Sequence, residues 1–460
     1  MFIDGFGLSS YRSFGDDLQL IGPLNKINLF IGQNNSGKSN ILKFLGNRYQ
    51  SARFSASSTR NAFNVGELEQ HIGVNSGQIQ IAFGLRRDGS SLNTILQSTS
   101  SASSDSAHVQ KLIDYVLRFS EITLNTELSW FVYGATYGQV LILSESLIHK
   151  ISENRISDSK SSPDGLTIRD WGLLLQGITT RRPSEATRRM VKDAIPHILQ
   201  ALSPVQSGMP QISIIDAVRE IKADPATQEY NYSGLNIIQE LVRLERPDIG
   251  EGYYEAKSKF AKINQFVSEV VGEPNVQIEI PASRTTIQVE LGGKTLPIEN
   301  LGTGIHEVIM MAIAGTLLQD QIVCIEEPEI HLHPTLQKKL IKYLEEHTTN
   351  QYFMATHSAS MIDIPRAAVF HVRHDGEQSI VTPALSPSQR YAISVDLGYR
   401  ASDILQANCI IWVEGPSGSD LPETLAKNNR SRIRRGDTVF HHVLRRQASK
   451  PPISRRCRDR

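Results

Sequence analysis

Apolar and polar positions along the chain predict alternating strands and helices near both ends. Residues 27–32 form a short apolar run that ends in glycine, and helical periodicity begins within the next ten residues. Toward the other end, apolar runs at 321–327, 351–358 and 368–374 are separated by a helical pattern and a short polar stretch. This alternation is typical of an α/β fold.

The middle of the chain is predicted to be partly helical. Strand-like patterns at 77–89 and 129–143 precede helical periodicity at 184–202, 237–244 and 253–271. We therefore divide the chain into four parts, which are an N-terminal part of an α/β domain, a partly helical insertion, a second part of the same domain and a C-terminal segment, at 1–90, 91–272, 273–407 and 408–460.

Composition and charge exclude several classes of protein. The formal net charge is zero, although the last 43 residues carry 12 basic and four acidic groups. The whole-chain charge thus gives no argument for nucleic-acid binding. Three widely spaced cysteines exclude a disulfide framework. Because no apolar run approaches the roughly 20 residues of a membrane span and the N-terminus lacks the pattern of a signal peptide, we expect a cytoplasmic protein without membrane contact.

The stretch GQNNSGKS at 32–39 predicts a phosphate-binding loop. It fits the pattern G-x-x-x-x-G-K-[ST] between an apolar strand and a helix, which disfavours a chance match of a Gly/Ser loop. Gly32 and Gly37 let backbone N–H groups face an anion, Lys38 would reach the β- and γ-phosphates, and Ser39 would ligate Mg²⁺. The other candidate contacts in and after the loop are Gln33, Asn34, Asn35, Ser36 and Asn40.

Two further motifs supply groups for phosphoryl transfer. The strand pattern in IVCIEEPEIHLHP ends in Glu326, a candidate Mg²⁺ ligand, and Glu327, a candidate for orienting or deprotonating water. His357 ends the strand pattern FMATHS and could contact the γ-phosphate. The alternative for the acid pair is a strand cap. His331 and His333 lack a third ligand nearby in the sequence, which favours a structural role over a metal site.

The stretch ENLGTGIHE predicts a second helix that begins at an anion-binding turn. Gly302, Thr303 and Gly304 would expose backbone N–H groups there. A plain glycine-rich helix start is the alternative. The P-loop and this turn are then two helix N-termini suited to binding anions. Together they indicate one ATP held between two subunits.

The order of these motifs resembles that of ABC-type ATPases, and EEPEIHLHP and ATHS resemble the AAA-type ATPases of the OLD (overcoming lysogenization defect) group within the SMC/RecF-like branch. The resemblance implies an ABC/SMC-like P-loop NTPase fold, ATP and Mg²⁺ as ligands, and a homodimer or higher oligomer. Residues 11–15 resemble a turn near the nucleotide, and residues 215–221 resemble a pre-helix segment with an internal arginine, Arg219. Gln70 is a guess for the glutamine contact of ABC ATPases. An ABC transporter subunit is disfavoured. Such subunits have far fewer residues between the P-loop and the second glycine-rich turn than the 264 positions that separate Lys38 from Gly302.

The stretch CIIWVEGPS at 409–417 resembles the first strand of a Toprim nuclease domain, which follows the ATPase in OLD-type proteins. Glu414 would be its metal-binding carboxylate, but no Asp-x-Asp pair follows. A truncated Toprim start with a basic, disordered tail is therefore expected, and a reading-frame change in the gene would explain the tail. A plain surface turn is the alternative for the stretch VEGPS. We expect no partner strand for residues 410–413 and no nuclease activity from this chain.

The sequence thus predicts an ATPase that drives or gates DNA processing in a nuclease system linked to phage defence. DNA and a separate effector or nuclease protein are candidate partners. The rival interpretation is an ATP-dependent switch or scaffold, without nuclease activity, that regulates a separate effector.

Overall fold

The computed structural model describes residues 3–52, 63–73, 78–86, 127–136, 142–143, 210–221, 231–399, 410–413 and 440–443. The chain divides into two compact units, residues 1–397 and residues 398–460. The predicted helix at 184–202 lies outside the described residues. So does most of the expected disordered tail.

The strands within the described residues are, in chain order, β1 Gly5–Leu8, β2 Gln19–Ile21, β3 Ile27–Ile31, β4 Gln78–Arg86, β5 Leu128–Thr136, β6 Ile142–Leu143, β7 Ile212–Ile215, β8 Gln277–Glu279, β9 Gln288–Leu291, β10 Lys294–Pro297, β11 Ile322–Glu326, β12 Gln351–Thr356, β13 Ala368–His374, β14 Ser379–Pro383, β15 Ile410–Val413 and β16 Phe440–Val443. The α-helices are α1 Lys38–Lys43, α2 Ile237–Glu245, α3 Tyr253–Val271, α4 Thr303–Leu317, α5 Pro334–His347 and α6 Pro387–Asp396. A π-helical segment, Phe44–Tyr49, continues α1.

A six-stranded sheet forms the centre of the first unit, in the order β14-β13-β3-β12-β11-β7. All of its neighbours pair in parallel except β13 and β14. Every residue of β3 and β12 is buried, which explains their continuous apolar runs, because helices or a second sheet cover both faces of such strands. The carboxyl ends of five parallel strands therefore meet at one edge.

A five-stranded antiparallel sheet, in the order β2-β1-β4-β5-β6, shares an apolar core with one face of the central sheet. Its centre is aromatic, and Phe6 lies within 6.3 Å of the rings of Phe44, Tyr49 and Phe353. Phe44 and Tyr49 follow α1, and Phe353 belongs to β12. The sheet thus packs directly on the strands and the helix that surround the predicted P-loop.

The other face of the central sheet is covered by helices. Residues 307–316 of α4 are buried at every position, so this helix is apolar all round rather than amphipathic. The helices α2, α3 and α5 share its core, together with a small antiparallel sheet of β8, β9 and β10. The chain predicted as an insertion at 91–272 contributes β5, β7, α2 and α3 to these layers, because its apolar faces complete both cores.

In the second unit, β15 pairs in parallel with β16. This corrects the expectation that residues 410–413 have no partner strand. The sequence FHHV of β16 has apolar residues only at its ends and lies between arginine-rich stretches, which obscured its strand pattern. Of the helices in the described part of the chain, none is long and apolar enough to cross a bilayer.

Candidate functional site

The P-loop connects β3 to α1 with two left-handed backbone positions. Asn35 has φ 64° and Gly37 has φ 105°. A Cβ on Gly37 would lie 2.2 Å from Ser379 Oγ, and a Cβ on Gly32 would lie 2.0 Å from the carbonyl oxygen of Val372. Both glycines are therefore required by the fold, because β13 and β14 press directly against the loop.

The Lys38 side chain is buried and folds over its own loop. Its Nζ donates to the carbonyl oxygens of Gly32 at 2.9 Å and Gln33 at 2.7 Å. Burial lowers the pKa of Lys38, whereas the nearby carboxylates of Glu327 and Glu329 act in the opposite direction. The lysine is thus held between the P-loop and the acidic end of β11.

The turn at residues 11–15 is anchored to the P-loop, the neighbourhood that its sequence suggested. Asn40 Nδ2 donates to Ser13 Oγ at 2.8 Å, and Ser379 Oγ lies 2.7 Å from the same oxygen. Ser379 also donates to the carbonyl oxygen of Ser36 at 2.8 Å. Gln70 lies beside this turn, paired through its backbone with Tyr11.

The predicted acid pair lies at the carboxyl end of β11. In the described part of the chain, Glu326 Oε1 is buried and has no hydrogen-bond partner. Glu327 has φ 45°, a left-handed conformation that is uncommon for a residue other than glycine and that occurs often at active sites. Its backbone N–H donates to the carbonyl oxygen of Ala355 at 2.8 Å, so the end of β11 is tied to β12.

Glu329 is a site residue that the sequence interpretation missed. It is buried, and its Oε1 accepts from Thr356 Oγ1 at 2.6 Å and from the backbone N–H of His357 at 2.8 Å. His357 Nδ1 lies 3.3 Å from Glu329 and 3.9 Å from Glu327 Oε1. The third acid of EEPE was the available signal, since a buried glutamate needs such partners.

Three carboxylates, the lysine and the histidine are thus brought together because β3, β12 and β11 are neighbours. The P-loop residues Ser39 and Asn40 are half-buried there, and the side chains of Gln33, Asn34 and Asn35 are exposed. Gln33 Nε2 donates to the carbonyl oxygen of Asp396 at 2.5 Å, so α6 also holds the loop.

The turn before α4 divides into an exposed part and a packed part. Gly302 and Thr303 are exposed, and a Cβ on Gly302 would meet nothing within 4 Å. A Cβ on Gly304 would lie 2.9 Å from the carbonyl oxygen of His331. Gly304 therefore packs against its own chain, unlike the exposed Gly302 and Thr303.

The residues present fit a metal-bound phosphate at this edge. A buried carboxylate oxygen without a partner, Glu326 Oε1, and the hydroxyl of Ser39 at the start of α1 are oxygen donors of the kind that Mg²⁺ prefers. Within the described ranges, no group of three or more His, Cys, Asp or Glu side chains could hold a metal ion. His333 instead caps α5, where its Nδ1 accepts from the backbone N–H of Thr335 at 3.3 Å.

A parallel sheet with a P-loop and an acidic strand end at one edge defines an α/β P-loop NTPase, which confirms the α/β P-loop part of the predicted fold class. A family model described as "AAA ATPase domain" matches residues 182–362. That span includes α4, the acid pair and His357, and it begins after the P-loop. No curated protein matches the chain.

Among solved structures, the chain is similar to three SMC heads. One is an SMC head bound to the C-winged helix domain of ScpA, with 14% identity, TM-score 0.41, and coverage of 85% of this chain and 99% of that one. The SMC head domain from Thermotoga maritima has 12% identity, TM-score 0.40 and coverage of 84% and 100%. An SMC head with an extended coiled coil, bound to the C-terminal domain of ScpA from Pyrococcus furiosus, has 12% identity, TM-score 0.38 and coverage of 86% and 99%.

Proposed function

We propose that this protein binds Mg-ATP at the P-loop and hydrolyses it. The observation that carries the proposal is the convergence of Lys38, Glu326, Glu327 and His357 at one edge of the central sheet. These are the groups that phosphoryl transfer requires, because its catalysis depends on positioning and on stabilising negative charge. The match to an AAA ATPase domain supports the same activity.

Each residue has a role that follows from its place. Lys38 would leave the carbonyl oxygens of its own loop and bind the β- and γ-phosphates. Glu327, with its side chain about one-third exposed, would accept a proton from water as the water oxygen attacks the γ-phosphorus and the bond to ADP breaks. Ser39 and Glu326 would hold Mg²⁺, which neutralises phosphate charge when bound.

His357 and Glu329 form the boundary of the reacting centre. Glu329 fixes the backbone and ring of His357 through contacts at 2.8 Å and 3.3 Å. The imidazole would then contact the γ-phosphate and the attacking water. In this arrangement Glu329 acts only through His357 and is a positioning residue.

The exposed turn at Gly302 and Thr303 supports a second part of the proposal. It begins a 15-residue helix, so backbone N–H groups and the positive end of the helix dipole face outward. A second copy of the chain would present its P-loop nucleotide to this turn. ATP would then be enclosed between two protomers of a homodimer or of a higher oligomer.

Lys38→Ala tests nucleotide binding, with Lys43→Ala as the matched control on the same helix. Loss of the ammonium group should abolish measurable ATP binding and hydrolysis in Lys38→Ala, whereas Lys43→Ala should behave as wild type. Equilibrium binding of a fluorescent ATP analogue and phosphate release measure the two steps. Wild-type affinity in Lys38→Ala would contradict the proposal.

We further propose that ATP turnover gates DNA processing in an OLD-type nuclease system linked to phage defence. The motif order and the Toprim-like start at 409–417 support this. A single carboxylate, Glu414, is insufficient for the metal cluster that phosphodiester cleavage uses, so the purified chain should not nick DNA with Mg²⁺ or Mn²⁺. A plasmid nicking assay checks this expectation. Metal-dependent nicking that Glu414→Ala abolishes would show that the segment is a working nuclease.

An ATP-dependent switch that regulates a separate effector is the second candidate. Its supporting observation is that Lys38 forms two hydrogen bonds within its own loop, which ATP must displace before it binds. The two candidates differ in their response to DNA. Stimulation of ATP hydrolysis by DNA, weakening steeply with salt, favours direct DNA processing, and indifference to DNA at low salt favours the switch.

A further inference from the structure

A buried arginine connects the helix after the exposed turn to the acidic strand end. Arg219 lies in the segment after β7, and its side chain is fully buried. Its Nη1 donates to Glu307 Oε2 of α4 at 2.7 Å, and its Nη2 donates to the backbone carbonyl oxygen of Glu326 at 2.5 Å. One guanidinium group therefore joins two elements that carry different parts of the proposed site.

Stability alone does not account for this pair. An arginine keeps its charge when it is buried. Removing the charged side chains of Arg219 and Glu307 from water therefore costs more free energy than burying an apolar pair of the same volume. The carboxylate of Glu307 is itself only 5% exposed, and Arg219 Nε has no hydrogen-bond partner within the described residues. What an apolar pair could not provide at this place is the pair of directed hydrogen bonds from Arg219 to Glu307 and Glu326.

The backbone that Arg219 holds is the peptide unit immediately before Glu327. The carbonyl oxygen of this unit accepts from Arg219, and its N–H, which belongs to Glu327, donates to Ala355 at 2.8 Å. Glu327 adopts φ 45° directly after this peptide. Both polar atoms of the peptide that precedes this unfavourable conformation are thus held, and the direction of the Glu327 carboxylate depends on that conformation.

The other end of the link is the start of α4. Glu307 follows Thr303 by four residues, which places it one helical turn inside the helix. Gly304, in the first turn, also packs on the carbonyl oxygen of His331, in the loop after the acid pair. A displacement of the start of α4 would therefore be transmitted to the end of β11 both through Arg219 and through the loop that contains His331.

We propose that Arg219 is a positioning residue that couples the exposed turn at Gly302 and Thr303 to the orientation of Glu327 in the same protomer. Docking of a partner's nucleotide on the turn then aligns the protomer's own base for hydrolysis. This inference rests on the proposed ATPase function. It assigns to Arg219 an effect on turnover and none on nucleotide binding.

Arg219→Lys is the test, because lysine keeps the charge but lacks the planar fork that reaches both acceptors. The ATP Kd should stay within about twofold of wild type, and kcat should fall at least about tenfold. In the Glu327→Gln background the same substitution should change the residual kcat by less than about twofold, because no base remains to be oriented. Arg86→Lys is the control, since Arg86, at the end of β4, also donates to two acceptors, the carbonyl oxygen of Leu24 and Asn25 Oδ1, although both bonds come from its Nη2.

Equal loss of kcat in both backgrounds, or a loss no greater than that of Arg86→Lys, would overturn the coupling. If Arg219→Lys unfolds early in thermal melts, Glu307→Gln replaces it, because glutamine keeps the shape of the side chain but removes the charge that pairs with Arg219, and the same non-additive pattern is expected. If wild type itself shows neither ATP binding nor hydrolysis, the proposed function fails as well. A wild type that depends on Lys38 and Glu327 but not on Arg219 would refute this inference alone.

Discussion

At the scale of single residues, the candidate site combines acids with different surroundings. Glu329 is buried and accepts three contacts around His357, whereas the side chain of Glu327 is about one-third exposed and held by its backbone. Glu329 Oε1 is suited to fixing its neighbours, and the more exposed carboxylate of Glu327 is suited to meeting water. This difference, which no sequence pattern shows, is why we assign proton acceptance to Glu327.

Tyr11, in the turn beside the P-loop, gives a pH-dependent prediction. Burial raises its pKa to about 12, from a value of 10.0. The folded state then holds the proton more tightly, so the contribution of Tyr11 to stability is complete below pH 10 and is lost as the pH rises toward 12. Two pKa units correspond to at most about 3 kcal/mol.

Urea unfolding between pH 8 and pH 12 checks this expectation. The decline in unfolding free energy above pH 10 should be shallower in Tyr11→Phe than in wild type. Tyr254→Phe, at an exposed tyrosine, is the control and should leave the decline unchanged. Parallel profiles for all three proteins would mean that Tyr11 titrates normally in the folded state.

At the scale of elements, the start of α4 and the rest of the helix have different surroundings. Its N-cap Gly302 and first residue Thr303 are exposed, and residues 307–316 are buried. Under the proposed coupling, an event at the exposed start of α4 would reach β11 through Glu307 and Arg219. The contrast between Gly302 and Gly304 makes this division testable.

Gly302→Asp should keep the fold and abolish ATP-dependent dimerisation. Aspartate is a favourable residue at this helix N-cap, where the space is open, but its charge would repel a partner's triphosphate. Gly302→Asn is the matched neutral control and should still dimerise. Light scattering with ATP, in the Glu327→Gln background, measures the mass. Equal dimerisation of the two variants would rule out a phosphate contact at the turn.

Gly304→Val should instead lower the unfolding free energy by about 1 to 3 kcal/mol, because its Cβ would meet the carbonyl oxygen of His331 at 2.9 Å. Urea unfolding beside Gly302→Asn measures the difference. Wild-type stability in Gly304→Val would show that the loop after the acid pair can move aside without lowering the unfolding free energy.

At the scale of the whole molecule, the site exists because strands distant in sequence become neighbours. Lys38, Glu327 and His357 could each be found from the sequence, since each follows its own apolar strand. The contact between Arg219 and Glu307 could not, because it joins residues 88 positions apart whose spacing no motif fixes. The position of β7 beside β11 was hidden for the same reason, since only pairing across the sheet defines it.

The layers of the first unit also include residues that carry no nucleotide-binding motif. Sequence patterns placed residues 91–272 in an insertion, because this stretch carries no nucleotide-binding signature. The structure places β5 in the antiparallel sheet, and α2 and α3 in the helical layer. Hydrophobic periodicity predicted α2 and α3 almost to the residue, but periodicity does not show which core a helix joins.

Steady-state hydrolysis by Glu327→Gln tests the central claim most directly. Glutamine preserves the shape of the side chain and removes the proton acceptor. The ATP Kd should remain at the wild-type value, and kcat at saturating Mg-ATP should fall at least about a hundredfold, the scale expected for loss of a general base. A kcat within about twofold of wild type, at unchanged affinity, would show that this edge of the sheet does not catalyse ATP hydrolysis through Glu327.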